Sequence, residues 1–217
     1  MSDKTILCFG DSNTHGTIAM VDWNDRRRFP KAQRWPSVMA GILGDGYDVI
    51  PEGQSGRNAA YDDPIEGKHR NGERTLLALL ESHRPIDLLV IMLGTNDLKA
   101  RFGAPPIDIA LAIERLAKLA IGSDTGPNDR APKVLLVAPV PIEEVGYLGE
   151  LFAGGAEKSR ALPGYLEKIA ERQGAGFLDL APVAQVDPVD GVHLTAEAQA
   201  AIGRAIAAKA LSMLGGG

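Results

Sequence analysis

Five short apolar runs, each breaking off into glycine and polar residues, constrain this chain more than any other feature. They are Thr5–Gly10, Tyr47–Pro51, Asp87–Leu93, Lys133–Ala138 and Gly176–Leu180. Runs this rich in bulky residues predict strands buried on both faces. Helix-length segments separate them, and strands that alternate with helices build a parallel sheet with right-handed crossovers. The fold class is therefore α/β. For five strands the common order is 2-1-3-4-5, which places the first strand between the second and third.

The intervening helices carry their own signals. Arg34-Trp35-Pro36 opens one, with Val38, Met39, Ile42 and Leu43 as its apolar stripe and Gly44 and Gly46 at its end. Another runs through Leu76, Leu77 and Leu80 to Pro85, and a third carries Ile109, Ile113, Leu116 and Ala120. Ala156 to Gln173 reads as helix that Pro163-Gly164 should kink or split. Thr195 is placed to cap a last helix, Ala196 to Met213, and Gly215 to Gly217 to fray.

At 217 residues, with 45% hydrophobic and 24% charged, the chain suits one globular domain over 1–217. Its net charge of −5 argues against nucleic acid as a partner. Cys8 is the only cysteine. It permits no internal disulfide and reads as a small buried hydrophobe in the first strand. Met1-Ser2-Asp3-Lys4 leads directly into that strand without a signal peptide. No apolar run reaches membrane-spanning length, so a cytoplasmic protein without a membrane partner is expected.

The chemistry lies where the strands end. Ligands of open parallel sheets bind beyond the carboxyl ends of the strands, at the point where strand order reverses. There the first strand runs into Gly10-Asp11-Ser12-Asn13-Thr14-His15, and Ser12 reads as a nucleophile. Neighbouring strands lie about 4.8 Å apart. The second strand's turn, Gly53-Gln54-Ser55-Gly56, and the third's, Gly94-Thr95-Asn96-Asp97, therefore flank Ser12. The backbone N–H groups of Ser12 and Gly56 and the side-chain amide of Asn96 can converge as an oxyanion hole.

A serine hydroxyl needs a positioned base. His69 and His83 lie in polar segments and read as surface residues, and His15, three along from Ser12 on the same turn, need not face it. His193, beyond the fifth strand in Asp187-Pro-Val-Asp-Gly-Val-His193, is the base. Asp190, folded back on the imidazole across Gly191, completes a triad. Asp11 and Asp97 are read as shaping the turns by hydrogen bonding, and Asp187 as structural. Each block alone could be turn chemistry or helix capping. Their common sheet edge makes the catalytic reading. Two longer stretches remain. Thr17 to Gln33, with Arg26-Arg27-Arg28, reads as a solvated loop or a subunit contact, and Ile142 to Gly155, with Tyr147, Leu148, Leu151 and Phe152, as a substrate wall or oligomer contact.

With Gly10-Asp11-Ser12, the Gly53–Gly56 turn, Gly94-Thr95-Asn96-Asp97 and Asp190-Gly191-Val192-His193 in order, the whole chain resembles the SGNH (GDSL-type) hydrolases. The resemblance implies a flavodoxin-like three-layer α/β/α sandwich, with Ser12 as nucleophile, Gly56 and Asn96 as oxyanion donors, and Asp190 and His193 as acid and base. Ile6–Ser12, Ile91–Asp97 and Phe152–Lys158 resemble the bacterial arylesterase branch, which hydrolyses short-chain and aryl esters. That branch includes an acyltransferase/perhydrolase, and its members tend to be oligomers whose neighbours narrow the entrance. Asn13 replaces the leucine of the family's name, and His15 and Thr17 stand where that acyltransferase has tryptophans. A less apolar wall implies hydrolysis, with acyl transfer as a side activity.

The expected protein is thus a cytoplasmic, homo-oligomeric serine esterase acting on a small-molecule ester through an acyl-enzyme, with no cofactor and no metal. Its rivals are a carbohydrate O-deacetylase, a thioesterase or lysophospholipase of the same fold, and a non-catalytic flavodoxin-like binding module.

Overall fold

The computed structural model describes residues 4–215. The expected direct entry from Met1 and the fraying at Gly216 and Gly217 lie outside the described residues. In chain order the elements are β1 (Lys4–Gly10), α1 (Ser12–His15), α2 (Trp35–Leu43), β2 (Tyr47–Gly53), α3 (Glu73–Ser82), β3 (Leu88–Met92), α4 (Pro106–Ile121), β4 (Lys133–Ala138), α5 (Gly155–Gln173), β5 (Gly176–Asp179) and α6 (Ala196–Leu214).

The strands form one parallel sheet in the order β2-β1-β3-β4-β5. Alternation along β1 shows how three layers arise. Leu7 and Phe9 face a core shared with Leu76 and Leu80 of α3, Ile113 and Leu116 of α4, and Leu166 of α5. Ile6 and Cys8 face the opposite core, with Trp35 and Met39 of α2 and Ile202 and Ile206 of α6. Both faces of the strand are buried because side chains alternate and helices cover each side. Cys8 is fully buried there, and burial pushes its thiol pKa far up. It behaves as a hydrophobe.

Three local expectations differ from what is observed. The α5 helix runs unbroken through Pro163. Leu162, Leu166 and Ile169 form one buried stripe across the proline, and that packing outweighs a helix bond lost on a half-buried side. In α2 the buried residues are Trp35, Pro36 and Met39, while Ile42 is exposed; Leu77 of α3 is exposed as well. Both lie off the covered faces. Strand β2 continues two residues past Pro51, pairing Gly10 with Gly53, because an edge strand tolerates a proline. Thr195 does cap α6, its hydroxyl accepting from Ala198 N–H at 3.2 Å.

The register fixes the height of the strand ends. Gly10 pairs with both Gly53 of β2 and Met92 of β3, so three strand-end turns leave the sheet at one level. The α1 turn lies directly on β2. A Cβ on Gly53 would stand 2.3 Å from the His15 nitrogen and 2.6 Å from the Thr14 carbonyl carbon. Backbone cannot yield to it as a flexible side chain could. Gly53→Ala should therefore push α1 off the sheet, lowering stability by about 1–3 kcal/mol and turnover with it. Urea unfolding read beside activity checks this.

Candidate active site

One turn of helix presents Ser12. Asp11 caps it, its Oδ1 accepting from Asn13 N–H at 2.9 Å. Three further bonds fix the turn, one to the loop after β5 and two to helices α6 and α2. Asn13 Nδ2 donates to the Val192 carbonyl (3.2 Å), Gln199 Nε2 to the Asn13 carbonyl (2.9 Å), and Trp35 Nε1 to Thr14 Oγ1 (3.3 Å).

His193 reaches this turn from beyond β5. Its Nε2 lies 3.1 Å from Ser12 Oγ, and its Nδ1 lies 2.5 Å from Asp190 Oδ2. Nδ1–H donates to the carboxylate, which leaves Nε2 as acceptor of the serine hydroxyl proton. Asp190 is fully buried. Its Oδ1 accepts from Val192 N–H (3.0 Å) and His193 N–H (2.9 Å), and its Oδ2 from Met20 N–H (2.7 Å). Burial pushes the Asp190 carboxyl up, but the hydrogen bond from His193, with the backbone donors, outweighs it and holds it below the usual range. Gly191 makes the intervening turn possible. It sits at φ +71°, and a Cβ there would meet the Glu143 carbonyl oxygen at 2.1 Å.

The two flanking turns arrive as the strand order predicts. Asn96 Nδ2 donates one hydrogen to the Arg57 carbonyl at 3.1 Å, and the amide retains a second. Gly56, Asn96, Ser12 and His193 all line one cavity of about 530 Å³. Asp97 accepts from Ala59 N–H at 2.9 Å, tying the β3 and β2 turns together. Asp187 accepts from Val189 N–H at 2.9 Å and stays off the imidazole ring. His15 lines the cavity with its Nδ1 3.4 Å from Thr17 Oγ1; His69 is exposed, and His83 pairs with Glu52. The structure thus brings Ser12, His193, Asp190, Gly56 and Asn96 together.

The walls show what sequence reasoning missed. Leu148, Leu151 and Phe152 make an apolar side, which is one of the two readings of the 142–155 stretch. Glu66, Arg70, Lys99 and Arg101 line the same cavity with charge. Lys99 is buried and pairs with Glu66, which also binds Arg101 at 2.5 Å. Burial holds the Lys99 pKa below its usual value. Met20 and Trp23 come from the Thr17–Gln33 loop. The Arg26-Arg27-Arg28 run in that loop is exposed, as expected, yet Arg26 and Arg27 border the cavity. Arg28 Nε donates to the His15 carbonyl at 2.7 Å.

Known proteins resemble the chain over nearly its whole length. The profile of the GDSL-like Lipase/Acylhydrolase family matches residues 8–201. Est24, a carbohydrate acetylesterase from Sinorhizobium meliloti, superposes with a TM-score of 0.92 at 38% identity, covering 98% of this chain and 100% of its own. The inhibitor-bound aryl esterase of M. smegmatis gives 0.92 at 37% identity, covering 97% and 100%. A member of the lipolytic protein G-D-S-L family from Veillonella parvula shares the fold alone, with 0.68 at 16% identity over 98% and 99%. No curated protein matches the chain.

Two buried carboxyls beneath the site make a pH signature. Burial raises Asp97 to about 7 and Asp11 to about 6. A carboxyl whose folded pKa lies above its unfolded value favours folding while protonated, and that contribution fades as pH rises through the folded pKa. Asp97→Asn, whose amide oxygen still accepts from Ala59 N–H, lacks this titration. Its stability deficit relative to wild type should be larger at pH 4 than at pH 8, as paired denaturant titrations at both pH values would show.

Proposed function

Because the chain belongs to the GDSL-like lipase/acylhydrolase (SGNH) family and is a carboxylic ester hydrolase, we propose that it works through an acyl-enzyme on Ser12. The observation that carries this is the unbroken hydrogen-bond chain Ser12–His193–Asp190. His193 Nε2 takes the hydroxyl proton as Ser12 Oγ attacks the ester carbonyl carbon. The charge that develops on the carbonyl oxygen meets the N–H groups of Ser12 and Gly56 and the free Asn96 amide hydrogen. The imidazolium, stabilised by Asp190, returns its proton to the departing alcohol. Water then attacks the acyl-enzyme by the same route and releases the acid.

The substrate we propose is a short-chain or aryl ester, with acyl transfer as a side activity. Support comes from the likeness to the M. smegmatis aryl esterase and from a cavity that sets Leu148, Leu151 and Phe152 beside the charged Glu66, Lys99 and Arg101. A long acyl chain, as in a thioesterase or lysophospholipase, would need an apolar groove where the Glu66–Lys99–Arg101 wall stands. That same wall favours a second reading, an acetylated carbohydrate, whose hydroxyls it could hydrogen-bond. It is joined by the likeness to the S. meliloti carbohydrate acetylesterase. A non-catalytic module would give the buried Asp190–His193 pair nothing to do.

On this reading residues 1–217 form one catalytic domain of a cytoplasmic homo-oligomer. Large apolar side chains exposed at Val21, Trp23 and Ile65 support the assembly. No helix among the described residues is long and apolar enough to cross a membrane.

Purified protein should hydrolyse p-nitrophenyl acetate faster than the octanoate. Ser12→Ala and His193→Ala should each fold normally and lose at least about 10³-fold in kcat. Adding one acetylated sugar to the ester series separates the two substrate readings. An octanoate preference would overturn the short-chain assignment, and an active Ser12→Ala the mechanism.

A further inference from the structure

The residues Gln54 to Arg57 form a four-residue turn, closed by Arg57 N–H donating to the Gln54 carbonyl at 3.1 Å. Its third residue, Gly56, has φ +77°. That value belongs to a type II turn; in type I the third residue sits near −90°. The two types differ by a half-rotation of the middle peptide, whose carbonyl is that of Ser55 and whose N–H is that of Gly56. A trans peptide puts these groups on opposite edges. The turn type therefore decides whether a donor or an acceptor faces the cavity. Glycine adopts either sign of φ at little cost, so the turn's own sequence leaves that choice open.

Arg70 is placed to make it. Its Nη1 donates to the Ser55 carbonyl. A Cβ built on Gly56 would lie 3.1 Å from Arg70 Nε, so the guanidinium rests directly against the turn. The Arg70 backbone is tied to the same segment. Asn58 N–H donates to the Arg70 carbonyl and Gly72 N–H to the Asn58 carbonyl, each at 3.0 Å. The guanidinium is also braced from behind. Its Nε lies 3.5 Å from Glu66 Oε2; Glu66 binds Lys99 and Arg101, and Arg101 reaches Asp63 at 2.7 Å. No backbone carbonyl among the described residues accepts the Gly56 N–H.

We infer that Arg70 is a positioning residue of the oxyanion hole: its charged hydrogen bond to the Ser55 carbonyl holds the middle peptide so that the Gly56 N–H serves the reacting carbonyl. The inference rests on the reading of Gly56 as an oxyanion donor. Without Arg70 the peptide is free to rotate. It then withdraws one donor and offers the Ser55 oxygen, an acceptor, to a developing negative charge. Arg70 thus acts on the transition state through the peptide, without touching the reacting atoms.

The test compares wild type, Ser12→Ala, Arg70→Ala and Arg70→Gln on p-nitrophenyl acetate. An arylboronate, which forms a tetrahedral anion on the serine hydroxyl, serves as the transition-state probe. For the Arg70 variants kcat should fall about 10- to 100-fold, less than full loss of an oxyanion donor, with KM changed less than about threefold. Boronate affinity should weaken by the same factor as kcat/KM, and added guanidinium ion should restore part of the kcat of Arg70→Ala. A folded Arg70 variant with wild-type kcat overturns the inference, as does one that loses kcat yet binds boronate normally. Arg70→Gln decides the matter if Arg70→Ala does not fold. Wild type inert towards every ester, or an active Ser12→Ala, would instead sink the proposed function itself.

Discussion

A single buried negative charge organises this site. Removing the Asp190 carboxylate from water is costly unless every lone pair finds a donor. The donors come from three places: Met20 N–H in the Thr17–Gln33 loop, the Val192 and His193 N–H groups in its own turn, and the imidazole Nδ1–H. Satisfying one charge thus fixes a long loop, a tight turn and a ring tautomer together. The tautomer is the functional consequence. With Nδ1 committed to Asp190, Nε2 has only its lone pair to offer, and the Ser12 hydroxyl, 181 residues away in sequence, is what it faces.

That meeting is prepared by the sheet. Parallel strands with a shared register end at a common level, and Gly10 is level with both Gly53 and Met92. The nucleophile turn and the two flanking turns converge because of hydrogen bonds made several residues earlier, deep between two apolar layers. Close approach of backbone finishes the job, since α1 lies on Gly53 with no room for a methyl group. Only the histidine must travel, and the segment after β5 is long enough to bring it back along the edge.

Much of this was legible in the sequence, and the reason is locality. Asp11, Asn96 and the Asp190–His193 turn carry their chemistry within a few residues of a strand end or of each other, where spacing alone constrains geometry. The cavity wall was not legible. Glu66, Arg70, Lys99 and Arg101 are charges in irregular segments, and such residues ordinarily face water. Glu66 pairs with Lys99 and Arg101 across 33 and 35 residues, through loops whose paths no periodicity predicts. The Met20 contact left no trace at all, because its donor is backbone. Pro163 and Ile42 fail for another reason. Local preference and apolar character state what a residue favours, and the packed face determines what it does.

The strand-end loops also explain why a chain of net charge −5 gathers arginines around its site. Backbone within the sheet is held by a neighbouring strand; backbone beyond the strand ends is not. At the strand ends and just beyond them, guanidinium groups repeatedly add a bond to a backbone carbonyl. Arg57, buried against the Phe9 ring, donates to the carbonyls of Gly10 and Glu52. Arg28 donates to that of His15, and Arg34 Nε to that of Phe29 at 2.8 Å. Charge-assisted bonds of this kind are stronger than those between neutral groups, and the rigid fork limits the freedom of the peptide it holds. Burial opposes such use, as the Arg57 pKa, lowered to about 10, records. The Gly10 carbonyl nevertheless lies two residues before the nucleophile, where a peptide rotation would carry the serine with it. A loop that must present bare N–H groups to a ligand cannot spend them on another strand, so its carbonyls are where it has to be anchored.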